Sequence, residues 1–178
     1  MPETPSANAV PRRPLWAPWR MAFITAPKGE EECFLCAKGR PAAFADPEQH
    51  VIARGRLAYV LLNAFPYNSG HLLVAPYRHV ADLVDLAAAE RAEILELVAQ
   101  AETVMRRTMQ PDGFNVGFNL GAAAGAGVPG HVHAHLVPRW QGDTNFMPVV
   151  GDVRVVPQAL AETARLLRAA WAAPAPVG

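Results

Sequence analysis

Residues 121–137 read Gly121-Ala-Ala-Ala-Gly125-Ala-Gly127-Val-Pro-Gly130 and then His131-Val-His133-Ala-His135-Leu-Val137. The second half alternates an imidazole with an apolar side chain. Successive side chains of a strand point to opposite faces, so the spacing predicts a strand over His131–Val137 with three histidines in one row. Neighbours in that row stand roughly 6 to 7 Å apart. Val132, Ala134 and Leu136 then turn the other way, into the core. The preceding glycine-rich loop can bring backbone N–H groups close to an anion, because glycine has no Cβ in the way.

Working outward, His50–Ala53 and Leu57–Leu62 read as short apolar strands around the turn Arg54-Gly-Arg56. Asn63–Gly70 is a loop by its Pro, Asn, Ser and Gly content, and His71–Ala75 is a further strand. Asp82 to about Met109 carries Leu83, Leu86, Ile94, Leu97, Val98 and Met105 near helical spacing, among good helix formers. Pro111-Asp-Gly113 ends that helix. Phe114–Leu120 reads as a strand and Pro157–Trp171 as a closing helix. Strands before and after one long helix, without βαβ alternation, predict an α+β layout: an antiparallel sheet with helices packed on it.

The chain has 178 residues, 51% of them hydrophobic, with 16 basic and 16 acidic side chains. That length suits one domain, expected over residues 15–172 between a loose segment 1–14 and a frayed tail 173–178. Zero formal net charge supplies no general field for nucleic acid, so phosphate chemistry needs a local site. No apolar run is long enough to span a membrane and no secretory signal is visible, which reads as a cytoplasmic protein. The two cysteines, Cys33 and Cys36, are too few for a disulfide framework. They read as buried thiols in a turn, a redox pair, or half of a zinc site that any of six histidines could complete.

The histidine row has three readings. It could be a solvated strand face, a metal site made by all three imidazoles, or a catalytic centre. A neutral imidazole attacks phosphorus well near pH 7 and leaves readily from the phosphoramidate it forms. The glycine loop and the cation of Arg139 would then face the phosphates.

His131-Val-His-Ala-His-Leu-Val137 resembles the His-φ-His-φ-His-φ-φ motif of the histidine triad family of nucleotide hydrolases and transferases. The continuation Pro138-Arg-Trp-Gln-Gly-Asp-Thr-Asn-Phe-Met-Pro148 is similar to the bacterial branch that includes diadenosine tetraphosphate phosphorylases. Leu15-Trp-Ala-Pro-Trp-Arg20 and Cys33-Phe-Leu-Cys36 resemble that branch too, so the likeness runs from about Leu15 to Leu167.

The resemblance implies a nucleotidyl transferase or hydrolase acting on dinucleoside polyphosphates through a nucleotidyl-histidine. His133 would be the nucleophile, with His135 near the phosphate and leaving group. Asn63 would hold the ribose, Leu61 and Leu73 the base, and Asn119 a phosphate. Zinc-binding members imply Cys33, Cys36, His79 and His131 as a structural zinc set. A homodimer is implied, as is phosphate or water as the acceptor. Many members carry Gln and Ser or Thr where this chain has Gly127 and Val128. That departure leaves backbone N–H groups from Gly125 to Gly127 for the leaving phosphates. It also motivates a rival expectation, a zinc-stabilised nucleotide sensor with negligible turnover. His50 reads as a surface residue, His71 as a buried structural hydrogen-bonding residue, the tryptophans as packing residues, and Asn145 as a weak candidate near the site.

Overall fold

The structure, a computed structural model, describes residues 32–143 and 159–173. The expectations for residues 1–14, Leu15–Arg20, Asn145 and residues 174–178 lie outside the described residues. Within them run α1 (Phe34–Lys38), α2 (Pro41–Ala45), β1 (Val51–Arg54), β2 (Ala58–Leu62), β3 (Leu72–Pro76), α3 (Ala88–Thr108), β4 (Gly113–Phe118), β5 (Ala134–Arg139) and α4 (Leu160–Ala172). The strands form one sheet in the order β1-β2-β3-β5-β4, and every pairing is antiparallel. This is the α+β layout expected from the sequence.

Each face of the sheet has its own apolar cluster, because alternate strand residues point to opposite sides. Val60, Leu62, Leu72, Val74, Val132, Ala134 and Leu136 face α3 and α4. From α3 they meet Ile94, Leu97, Val98, Ala101, Val104 and Met105, a stripe at three- and four-residue spacing. Tyr59, Leu61, Leu73 and Ala75 lie on the other face with Leu35 of α1. Tyr59 also donates its hydroxyl to the Leu35 carbonyl at 2.5 Å, which ties the cysteine turn to the sheet.

Two elements depart from the sequence reading. The long helix starts at Ala88, not Asp82; Leu83–Asp85 is a single 3₁₀ turn and Leu86 is extended. Glu90 explains the new start. Its carboxylate accepts the Ala87 N–H at 2.7 Å, the half of a capping box that runs from the third helical residue back to the N-cap; alanine has no oxygen for the other half. It also pairs with Arg78 at 2.6 Å. The histidine strand begins at Ala134, so His131 and His133 precede it. There the backbone bonds elsewhere: His131 N–H donates to Val128 O at 3.2 Å and Val132 N–H to Val80 O at 2.7 Å. The alternation survives, since Val132, Ala134 and Leu136 all reach the helix-facing core.

Candidate active site and metal centre

The three imidazoles of the row have three different surroundings. His131 is fully buried and joins Cys33, Cys36 and His79, whose ligand atoms all lie within 4.8 Å of one another. His131 Nδ1 stands 3.4 Å from Cys33 Sγ and 3.6 Å from Cys36 Sγ, and His79 Nδ1 stands 3.3 Å from Cys36 Sγ. Metal–sulfur bonds of about 2.3 Å and metal–nitrogen bonds of about 2.0 Å at tetrahedral angles put sulfur and nitrogen roughly 3.6 Å apart. The observed spacings fit that tetrahedron. His131 Nε2–H donates to Pro76 O at 2.9 Å, which leaves Nδ1 with its lone pair toward the cluster. Burial, and next the adjoining Cys33, push the Cys36 thiol up to about 11, so a cation between the two sulfurs is what would favour thiolates. The alternative of a metal site made by all three triad histidines is not formed among the described residues.

His133 is 5% exposed, and its Nδ1–H donates to the His131 carbonyl at 2.8 Å. That bond places the proton on Nδ1 and the lone pair on Nε2. Burial lowers the His133 pKa, opposed by the same carbonyl hydrogen bond, so the ring is neutral at pH 7. It is the form a nucleophile needs.

His135 lies on β5, opposite Leu73 of β3 and Gly117 of β4, with its ring centroid 4.9 Å from that of His133. Its Nδ1 meets Nε2 of His71 at 3.0 Å. The proton positions follow from one backbone group. Tyr67 N–H can only donate, and it points to His71 Nδ1 at 3.1 Å. The Asn63 amide, oriented by the Phe65 N–H on its oxygen at 2.9 Å, also approaches His71 Nδ1, at 3.2 Å. Neutral His71 therefore carries its proton on Nε2 and donates to His135 Nδ1. His135 in turn carries its proton on Nε2, which lies 3.3 Å from the Asn119 amide. The Asn119 oxygen is then the atom that accepts it.

The structure thus brings His133, His135, Asn63 and Asn119 into one neighbourhood and adds His71, which the sequence reading took as structural. His71 is indeed buried and hydrogen-bonded, but its partner is a triad histidine 64 residues away. The Gly70-His71 pair at a strand start was the local signal, and it does not name the partner. Leu61 and Leu73 pair across β2 and β3 and are 2% and 3% exposed beneath Leu35 and Val128.

Two of the groups expected to face phosphate have hydrogen-bond partners within the chain. Gly125 N–H donates to Ala122 O at 2.9 Å and Ala126 N–H to Gly121 O at 3.3 Å, so these loop donors close a 3₁₀ turn instead of facing a phosphate. Arg139 lies four residues along β5 from His135, about 13 Å at strand rise. Its guanidinium takes both oxygens of Asp143 at 2.6 and 2.8 Å and the Asn115 side chain at 2.8 Å. Its charge serves that pair.

An α+β sheet bearing a buried neutral imidazole beside a histidine pair, with a Cys₂His₂ cluster at the foot of the same segment, defines a class that comparison identifies. A family model described as the HIT domain matches residues 45–142. The chain is 43% identical over 163 residues to the AP-4-A phosphorylase of Mycobacterium tuberculosis, covering 89% of this chain and 84% of that protein. It is 34% identical over 93 residues to the asymmetrical bis(5'-nucleosyl)-tetraphosphatase of Schizosaccharomyces pombe, covering 52% of this chain and 50% of that one. Among solved structures, a zinc-bound histidine triad family protein from Mycobacterium smegmatis superposes with a TM-score of 0.63 at 28% identity, covering 81% of this chain and 96% of that one. This chain belongs to the histidine triad family.

Proposed function

We propose that this chain is an enzyme that cleaves dinucleoside polyphosphates, diadenosine tetraphosphate in particular, through a nucleotidyl-histidine at His133. The observation that carries the reading is the His133 Nδ1–H bond to the His131 carbonyl at 2.8 Å, which presents the unprotonated Nε2 of a neutral, buried ring. Relatives named as an AP-4-A phosphorylase and a tetraphosphatase support the substrate class.

One adenosine sits over the Leu61–Leu73 side of the sheet with its ribose on Asn63. Nε2 of His133 attacks the α-phosphorus, the bond from that phosphorus to the bridging oxygen breaks, and ATP leaves. His135 Nε2–H turns from the Asn119 oxygen to the phosphate oxygens, and the Asn119 NH₂ donates beside it, stabilising their charge. An acceptor then attacks the phosphorus and the P–N bond breaks, returning the ring's lone pair. Phosphate as acceptor yields ADP and water yields AMP. The likeness to a phosphorylase favours phosphate.

Cys33, Cys36, His79 and His131 hold a structural zinc ion in this reading. Zinc would anchor the cysteine turn to the segment whose carbonyl orients His133. Two copies associate as a homodimer in the cytoplasm, with the exposed β4 edge as an available surface. No helix among the described residues is long and apolar enough to cross a membrane.

The test is product analysis of diadenosine tetraphosphate incubated with wild-type protein and His133→Asn, with and without phosphate. ADP plus ATP, dependent on phosphate and abolished by His133→Asn, supports the reading. Undiminished cleavage by His133→Asn overturns the covalent route. Binding of adenine nucleotides with no cleavage by the wild type leaves a zinc-stabilised sensor instead.

A further inference from the structure

We propose that Asn68, Asp143 and Arg139 form a latch that sets the protonation pattern of His71 and, through it, of His135. The kinetic part rests on the function proposed above; the protonation part stands without it.

The donor that determines the His71 tautomer is the backbone N–H of Tyr67, so its placement depends on how the loop around it is held. Asn68 is the holding residue. Its side-chain oxygen accepts Ser69 N–H at 3.1 Å, and its own carbonyl accepts His71 N–H at 3.1 Å. Its amide then reaches across 75 residues to donate to Asp143 at 2.7 Å, and to Pro138 O at 3.2 Å. All donor and acceptor capacity used here is satisfied on one side by the loop and on the other by the end of β5.

Asp143 is the anchor. Its side chain is 10% exposed, and it accepts two bonds from Arg139 and one from Trp140 N–H at 3.1 Å. Arg139 is braced in turn by Asn115 of β4 at 2.8 Å. The paired fork is a stiff support, because a bidentate guanidinium–carboxylate contact fixes direction as well as distance. The loop is clamped from behind as well. Gly70 leaves so little room that an added Cβ would stand 2.9 Å from Met109 Sδ. Met109 is itself fastened, since its carbonyl accepts Trp140 Nε1–H at 3.3 Å. The segment from Tyr67 to His71 is therefore gripped between Asp143 and Met109, and both grips converge on the turn after β5.

The consequence is chemical. An imidazole in water exchanges readily between its two neutral tautomers, and a hydrogen bond to one nitrogen selects between them. Releasing the loop withdraws the Tyr67 donor and also the Phe65 N–H that orients the Asn63 amide, so no N–H is held on His71 Nδ1; His71 populates the Nδ1–H form, and its bare Nε2 then faces His135 Nδ1. His135 must move its own proton to Nδ1 to keep that contact. Its Nε2 loses the proton it offers toward Asn119 and the phosphate. Asn68, Asp143 and Arg139 are thus positioning residues that touch no reacting atom.

The test pairs a spectroscopic readout with kinetics. Long-range proton–nitrogen NMR on the wild type is expected to show His71 and His135 both as the Nε2–H tautomer. Asn68→Asp sets two carboxylates face to face, and Asp143→Ala removes the anchor. Each is expected to give a tautomer mixture at His71 and to lower kcat between about ten- and a hundredfold with little change in KM. The reciprocal double variant Asn68→Asp/Asp143→Asn restores a donor–acceptor pair and is expected to recover both signals in part. An Nδ1–H tautomer at His71 in the wild type, or an unchanged tautomer in both single variants, overturns the latch. If no dinucleoside polyphosphate is cleaved but the tautomers behave as described, the latch stands and the enzymatic reading fails.

Discussion

Gly70 and Gly142 both have a positive φ, 78° and 80°, yet have opposite surroundings. Replacing each with alanine separates backbone strain from packing. An L residue in the left-handed region costs about 1 to 2 kcal/mol, and that is the whole penalty at Gly142, where no described atom lies within 4 Å of the new Cβ. At Gly70 the Cβ meets Met109 Sδ and Cε at 2.9 Å and Met105 Cε at 3.0 Å. Overpacking adds about 1 to 3 kcal/mol, toward the low end because flexible methionine tips can shift. The totals are about 1 to 2 kcal/mol for Gly142→Ala and about 2 to 4 kcal/mol for Gly70→Ala. At about 3 °C per kcal/mol for a domain of this size, Tm falls by about 3–6 °C and about 6–12 °C respectively. Gly117→Ala, on exposed β4 with no positive φ and open space around it, is the neutral control. Thermal denaturation followed by circular dichroism measures all three. Equal losses for Gly70→Ala and Gly142→Ala would refute the claim that Met105 and Met109 grip the loop before His71.

Cys36→Ser should abolish stoichiometric zinc in plasma emission analysis and lower kcat about tenfold through the His131 carbonyl, whereas His133→Asn should leave zinc content unchanged. The acidic limb of kcat/KM should lie below 6.5, the ordinary histidine value, because burial favours neutral His133; a limb above 6.5 in a pH series would contradict that assignment. The same shift has a stability consequence. The unfolded chain takes up the proton first, so stability is full above pH 6.5 and falls below it, by at most about 1.4 kcal/mol per pH unit for this ring, as denaturant titrations would record. Glu90 acts in the same direction over a lower window: its bond to Arg78 holds the carboxylate down to about 2. The advantage of wild type over Glu90→Gln should be constant above pH 4.5 and shrink as pH falls from there toward 2; a gap independent of pH would refute it.

Local pattern carried much of this molecule. Alternation in residues 131–137 separated Val132, Ala134 and Leu136 from the imidazoles, because facing along an extended chain depends only on position parity. The apolar stripe from Ile94 to Met105 announced α3 by the period of its own helix. The Cys₂His₂ cluster was legible only through family resemblance, since nothing in the spacing of Cys33 and Cys36 chooses His79 and His131 among six histidines.

What tertiary structure alone decided were the partners. His71 and His135 meet because β3 and β5 are neighbours in the sheet, and Arg139 spends its charge on Asp143 because the chain turns back after β5. The start of α3 moved because Glu90, three residues after the N-cap Ala87, accepts the Ala87 N–H. A periodic pattern encodes which way a side chain faces, which is a property of neighbouring residues. Which imidazoles meet is different: His71 and His135 stand 64 residues apart, folding of the sheet joins them, and no short window of sequence contains both.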